Sequence, residues 1–221
     1  MPLRFARRLG LADAVTVANA AVGFLAVVAA TVDVALAARL VLLAAVADWL
    51  DGVVARHRGS TPAGPYLDSL ADVASFGVAP AALVTAAVRD GRSLATDPVL
   101  VAAGLGAGAL FVAASVARLG LYTVDEDGAR ETVGVPTTLA ATVLAAAVIA
   151  GYTAPPLLVG ATAAFALLMG STVRYPDLHA QDALVMGVVQ AAVILTPAGH
   201  MATSALPAWI GEGFAFALLF L

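Results

Sequence analysis

Between Asp48 and Asp72 the chain sets four aspartates, Asp48, Asp51, Asp68 and Asp72, into runs otherwise built mainly of Ala, Val and Leu (DWLDGVVARHRGSTPAGPYLDSLAD). In an apolar membrane helix an ionised aspartate costs roughly 2.5–3.5 kcal/mol at the centre and less near an end. A fold that accepts four of them must gather them where something meets their charge. At about 100° per residue, Asp48, Asp51, Gly52 and Ala55 share an arc of about 100° on one helix, and Asp68 and Asp72 lie one turn apart on the next. The RHRGSTPAGP between them carries the Gly and Pro of a tight connection. Two antiparallel helices would then bring the two carboxylate pairs face to face.

The set is all oxygen, with neither His nor Cys, and so favours a hard divalent cation, Mg²⁺ or Mn²⁺. Four carboxylates suffice for two ions, an arrangement used in phosphoryl chemistry. Gly52 and Ala55 leave a helix face low enough for a flat ligand. Arg56, at the helix end, offers a fork of donors to a phosphate.

The stretch resembles the signature of the CDP-alcohol phosphatidyltransferases, D-x2-D-G-x2-A-R followed by G-x3-D-x3-D: here Asp48, Asp51, Gly52, Ala55, Arg56, Gly64, Asp68 and Asp72. One departure is the spacer, seven residues between Arg56 and Gly64 where the family usually has eight or more. The resemblance implies that an alcohol attacks the lipid-side phosphorus of a CDP-linked lipid and that CMP leaves. It implies Asp48, Asp51 and Asp68 as metal ligands and Asp72 as the base that also touches the second metal. It implies Gly52, Ala55, Arg56 and Thr61 as contacts to the CDP part. Asp13 and Thr16 resemble the last positions of a Pro-Asn-x-x-Thr element of the family, with the Pro missing, and are expected to face the nucleotide. The family is usually homodimeric.

The rest of the chain is 62% hydrophobic and 12% charged over 221 residues, the composition of a polytopic membrane protein. With a net charge of −4 it offers no basic surface for nucleic acid. Cysteine is absent, which excludes disulfides and thiolate metal sites. His57, His179 and His200 are scattered without ligand spacing. Arg4, Arg7 and Arg8 precede the first apolar run, and no cleavage-like break follows it, so no cleavable signal peptide is expected.

The expected architecture is an all-α membrane bundle of about eight transmembrane helices with short loops, one domain over residues 1–221. The spans are read at 12–31, 34–57, 64–88, 98–122, 135–152, 157–173, 181–197 and 203–221, after a basic amphipathic lead-in at 1–10. The signature thus crosses the second and third spans. Span one carries Asp13, Thr16 and Asn19 on one side, and Pro80 is expected to kink span three. Placing the N-terminus inside puts Arg4, Arg7, Arg8, Arg56, Arg58, Arg118, Arg130 and Arg174 at the inner side and leaves Arg39, Arg89 and Arg92 outside. The site then faces the cytoplasm from the plasma membrane.

Ser75-Phe76-Gly77-Val78-Ala79-Pro80, Gly134-Val135-Pro136 and Ser171 to Pro176 resemble the serine-using branch of the family, which implies L-serine as acceptor. Its carboxylate needs a cation, for which Arg118 and Arg174 are candidates, with Ser75 nearby. The Arg-only, acidic composition points to a haloarchaeal source, making CDP-archaeol an alternative to CDP-diacylglycerol as donor. Glycerol-3-phosphate or an inositol phosphate would demand a tighter basic cluster than Arg118, Arg130 and Arg174 provide. An ion-coupled transporter would demand repeat symmetry and helices broken near mid-membrane.

Overall fold

The computed structural model describes residues 9–59, 61–125 and 132–175. Helix α1 (Leu11–Ala30) runs to a short turn, and Asp33 starts α2 (Val34–Arg58) by accepting from the N–H groups of Ala35 and Leu36 at 2.8 and 3.1 Å. Gly59, at φ +82°, ends α2 with its N–H on the Ala55 carbonyl. The chain re-enters as α3 (Gly64–Asp72), with Pro65 in the first turn.

The backbone then widens into a π-turn, Val73–Val78, before α4 (Ala79–Arg89). Within it the Ala79 N–H reaches five residues back to the Ala74 carbonyl. The kink expected at Pro80 takes this form. Proline has no N–H to give, and the wider turn directly before it absorbs the loss. From Gly64 to Arg89 the helical path is continuous.

Helix α5 (Pro98–Asp125) returns, followed by α6 (Thr137–Ile149) and α7 (Pro155–Met169). The start of α6 meets the end of α7: Gly134 and Val135 donate to the carbonyls of Val173 and Leu168. Gly134, at φ +76°, lies so close to the Met169 carbonyl that a side chain would collide with it. A two-residue antiparallel pair, β1 (Thr132–Val133) with β2 (Arg174–Tyr175), closes the same corner in the register Thr132↔Tyr175. The described residues are otherwise helical where they are regular.

Among the described residues, three helices are long and apolar enough to cross a membrane: Leu11–Ala30, Gly64–Arg89 and Pro98–Thr123. Helix α2 is as long but carries Arg39, Asp48, Asp51, Arg56 and Arg58, so it is not a purely apolar span. Helices α6 and α7 are apolar but shorter than the expected fifth and sixth spans, because Pro136 and Gly151 bound one, and Pro155 and Gly170 the other. The expected spans at 181–197 and 203–221, the lead-in before residue 9, His179, His200 and Arg130 lie outside the described residues. An eight-span count is therefore not established.

The core is made of small and aliphatic side chains from α1, α2, α4, α6 and α7, with Phe76 and Phe111 fully buried among them. Ala-rich faces let helix backbones approach closely, which is how helices associate in lipid. Outward-facing apolar residues such as Phe24, Leu25, Leu110 and Leu167 are exposed, as a lipid-facing surface requires.

Candidate active site

The site lies where the C-terminal half of α2 meets the start of α1 and the second half of α3. Asp48, Asp68 and Asp72 each present a carboxylate oxygen, and these atoms lie within 4.8 Å of one another. Asp72 is buried, and Asp48 and Asp68 are half-buried. The Asp48 and Asp72 carboxyls approach within hydrogen-bond reach. Ionised carboxylates repel strongly at that range, so a cation or a proton has to meet their charge. The other oxygen of Asp72, Oδ1, is buried without a hydrogen-bond partner. A buried, unpaired carboxylate oxygen beside two more carboxylates fits a hard divalent cation.

Asp51, expected in the same set, is placed differently. It is buried and accepts the Thr16 hydroxyl at 2.6 Å through Oδ2. Thr16 also donates to the Ala12 carbonyl one turn back along α1. The Gly52 backbone also lies within hydrogen-bonding reach of the Asp51 carboxylate.

Asp13 ties down the same corner. It accepts from the Gly10 N–H at 2.7 Å, which starts α1, and from the Thr61 hydroxyl at 2.8 Å, which anchors the loop between α2 and α3. Asp13 and Thr61 are thus bonded to each other, and Thr16 to Asp51. Arg56 lies back along its own helix: a Cβ on Gly52 would stand 3.5 Å from Arg56 Nη1. Arg56 is exposed and Ala55 half-buried.

On the inner side Arg118 of α5 is half-buried, with its Cζ 5.4 Å from the Tyr122 ring centroid and its Nε unpartnered. It lies within electrostatic reach of Asp72. Ser69 and Thr123 share a hydrogen bond of 2.5 Å that joins α3 to α5 at this end. Neither residue stands out in the sequence, because one hydroxyl in a helix carries no signal of its distant partner. Ser75 is fully buried and donates to the Asn19 carbonyl of α1 at 2.9 Å, so its hydroxyl is committed to a helix contact. The amide of Asn19 is buried and unpartnered on both of its polar atoms. Of Arg174 only the backbone, paired with Val133, is described.

Similar proteins are known. The archaetidylserine synthase of Methanothermobacter thermautotrophicus is 33% identical over 180 residues, which cover 79% of this chain and 73% of that protein. The CDP-diacylglycerol–serine O-phosphatidyltransferase of Saccharomyces cerevisiae is 44% identical over 89 residues, 36% of this chain and 32% of the yeast protein. The family model for CDP-alcohol phosphatidyltransferase matches residues 9–175, a range that begins just before Asp13 and takes in all four signature aspartates and Arg118. The chain belongs to the CDP-alcohol phosphatidyltransferase family.

Proposed function

We propose that the protein transfers a phosphatidyl or archaetidyl group from a CDP-activated lipid to the hydroxyl of L-serine, releasing CMP. The observation that carries this reading is the convergence of Asp48, Asp68 and Asp72, with Asp72 Oδ1 buried and unpartnered. The choice of serine is supported by the two serine-named relatives and by Arg118 within electrostatic reach of Asp72.

Asp48, Asp68 and Asp72 would hold the metal, with Asp51, held by Thr16, completing the set. When bound, a pair of Mg²⁺ or Mn²⁺ ions supplies charge neutralisation for the pyrophosphate and the leaving CMP. Asp72 takes the proton from the serine hydroxyl, whose ionisation at neutral pH is otherwise negligible. The serine oxygen forms a bond to the lipid-side phosphorus, and the bond from that phosphorus to the CMP oxygen breaks. Gly52 and Ala55 keep the α2 face low for the CDP part, Arg56 clamps its phosphates, and Asp13, Thr16 and Thr61 border it. Arg118 is the candidate to bind the serine carboxylate, with Arg174 of β2 the other candidate.

On this reading the protein is one integral domain of the plasma membrane, about eight spans in all, working as a homodimer with its site toward the cytoplasm. Diacyl and archaeal ether donors differ in their chains, their ester or ether links and their glycerol stereochemistry, and share the CDP group that the acidic site would hold. The test is CMP release from the purified protein with CDP-lipid and Mn²⁺ or Mg²⁺, offered serine, glycerol-3-phosphate or inositol phosphate in parallel. Release with serine alone is expected. Release with a phosphorylated alcohol keeps the family chemistry and sinks the serine assignment.

A further inference from the structure

Asp72 and Arg118 stand on different helices, and each lies three residues from a buried serine: Ser75 after Asp72, and Ser115 before Arg118. Both serines belong to one contact layer around the π-turn Val73–Val78. On one side of the turn Ser75 donates to the Asn19 carbonyl, and α1 approaches so closely that only glycine fits. A Cβ on Gly23 would stand 2.7 Å from Ser75 Oγ, 2.8 Å from its Cα and 2.9 Å from its N. Two of those neighbours are backbone atoms, which no side-chain rotation can move away. On the other side Gly77 faces α5, where a Cβ would stand 3.2 Å from Ser115 Cβ. Ser115 itself is turned back onto the Phe111 carbonyl at 2.8 Å.

The widened turn is the one place in the third span where the helix ladder departs from the regular α pattern, and so where α3 is freest to rotate against α4. Rotation there would swing Asp68 and Asp72 together away from Asp48 of α2. The geometry points to a clamp: Gly23 and Ser75 are positioning residues that lock α1 onto the π-turn and thereby fix the rotation that aims Asp72, with Asp68, at Asp48. Gly77 against Ser115 holds the opposite side, so the same clamp sets Asp72 against Arg118. Ser75 then acts through Asp72 and not by touching the acceptor. This deepens the transferase reading where its turnover test is concerned, but the geometric claim stands on the contacts alone.

The test compares Gly23→Ala, which forces the helices apart, with Ser75→Ala, which removes the hydrogen bond without adding bulk. Gly106→Ala, on an open face of α5, is the control for a generic glycine effect. Because the chain has no cysteine, an added D48C/D72C pair gives a single thiol pair whose bridging by a short bifunctional reagent reports the distance between those two positions. Misplacing a reacting group by about 1 Å costs up to about a hundredfold in rate. Gly23→Ala is therefore expected to lower kcat about tenfold or more with KM for the CDP-lipid little changed, and Ser75→Ala several-fold in the same direction. Both should lower the bridging yield of the thiol pair, and Gly106→Ala should change neither.

Wild-type kcat and bridging in Ser75→Ala and in folded Gly23→Ala overturn the clamp, as does an equal loss in Gly106→Ala. A Gly23→Ala protein that fails to fold leaves the decision to Ser75→Ala. If the unaltered protein releases no CMP with any acceptor, the transferase reading fails, and the bridging yields still decide the clamp.

Discussion

At the scale of single residues the aspartates divide by what they touch. Asp72 has a buried oxygen with no partner, Asp48 and Asp68 complete a group within 4.8 Å, and Asp51 is held by Thr16. Asp72→Asn keeps the shape and removes the proton acceptor. It should lower turnover by a hundredfold or more, the usual scale for a general base, while metal-dependent CDP-lipid binding is largely kept. Asp48→Asn should abolish both. Equilibrium binding of a labelled CDP-lipid, with and without Mn²⁺, separates the two outcomes, and full turnover in Asp72→Asn would remove it from the role of base. Removing one carboxylate from the group also relieves repulsion, so metal-free Asp72→Asn should melt above metal-free wild type in detergent. Adding Mn²⁺ at about a hundred times its Kd should stabilise the wild type by about 2.7 kcal/mol if the ion binds only the folded form.

At the scale of elements, the Thr16–Asp51 bond joins α1 to α2 and the Thr61–Asp13 bond joins α1 to the loop that follows α2. Thr16→Val keeps the volume, removes the hydroxyl and leaves Asp51 buried without its side-chain donor. That should cost about 1–3 kcal/mol of stability, read by thermal unfolding in detergent, and raise KM for the CDP-lipid more than it lowers kcat. An unchanged melting temperature would mean that Asp51 finds another donor. The helices and the acidic group were legible in the sequence because both follow local rules. Long apolar runs bounded by Gly, Pro and Asp give α1 to α5 nearly to the residue, and the spacing of Asp48, Asp68 and Asp72 puts all three at one helix junction. The π-turn was not legible. Pro80 announces a disturbance, but whether the helix bends or widens depends on what packs against it, here Gly23 of α1 and Ser115 of α5. For the same reason Ser75 reads as a neighbour of Asp72 along its own helix, while its actual partner is an α1 carbonyl distant in sequence. Asp51 shows the same limit: spacing assigns it to the α2 face, but Thr16 decides which way its oxygens point.

At the scale of the whole molecule the question is which way the site faces. The acidic group sits at the end of the bundle where α1 begins, α2 ends, α3 begins and α5 ends. Arg56 and Arg118 lie at this end, whereas Arg89 and Arg92 flank the turn at the opposite end. Arginine is retained on the cytoplasmic side during insertion, and the bias counts over short loops such as these. The absence of cysteine makes this testable with single substitutions. Ser93 is exposed in the turn between α4 and α5, and Thr172 is exposed beyond α7, next to the β pair. In intact cells a membrane-impermeant maleimide should label Ser93→Cys at once and Thr172→Cys only after lysis. The reverse pattern would put the aspartates on the outer face, away from cytoplasmic CDP-activated precursors and free serine, and would leave the transferase chemistry without a supply of either substrate. Equal labelling of both positions before lysis would mean that the chain inserts in two orientations, and that eleven arginines distributed as these are do not suffice to fix one.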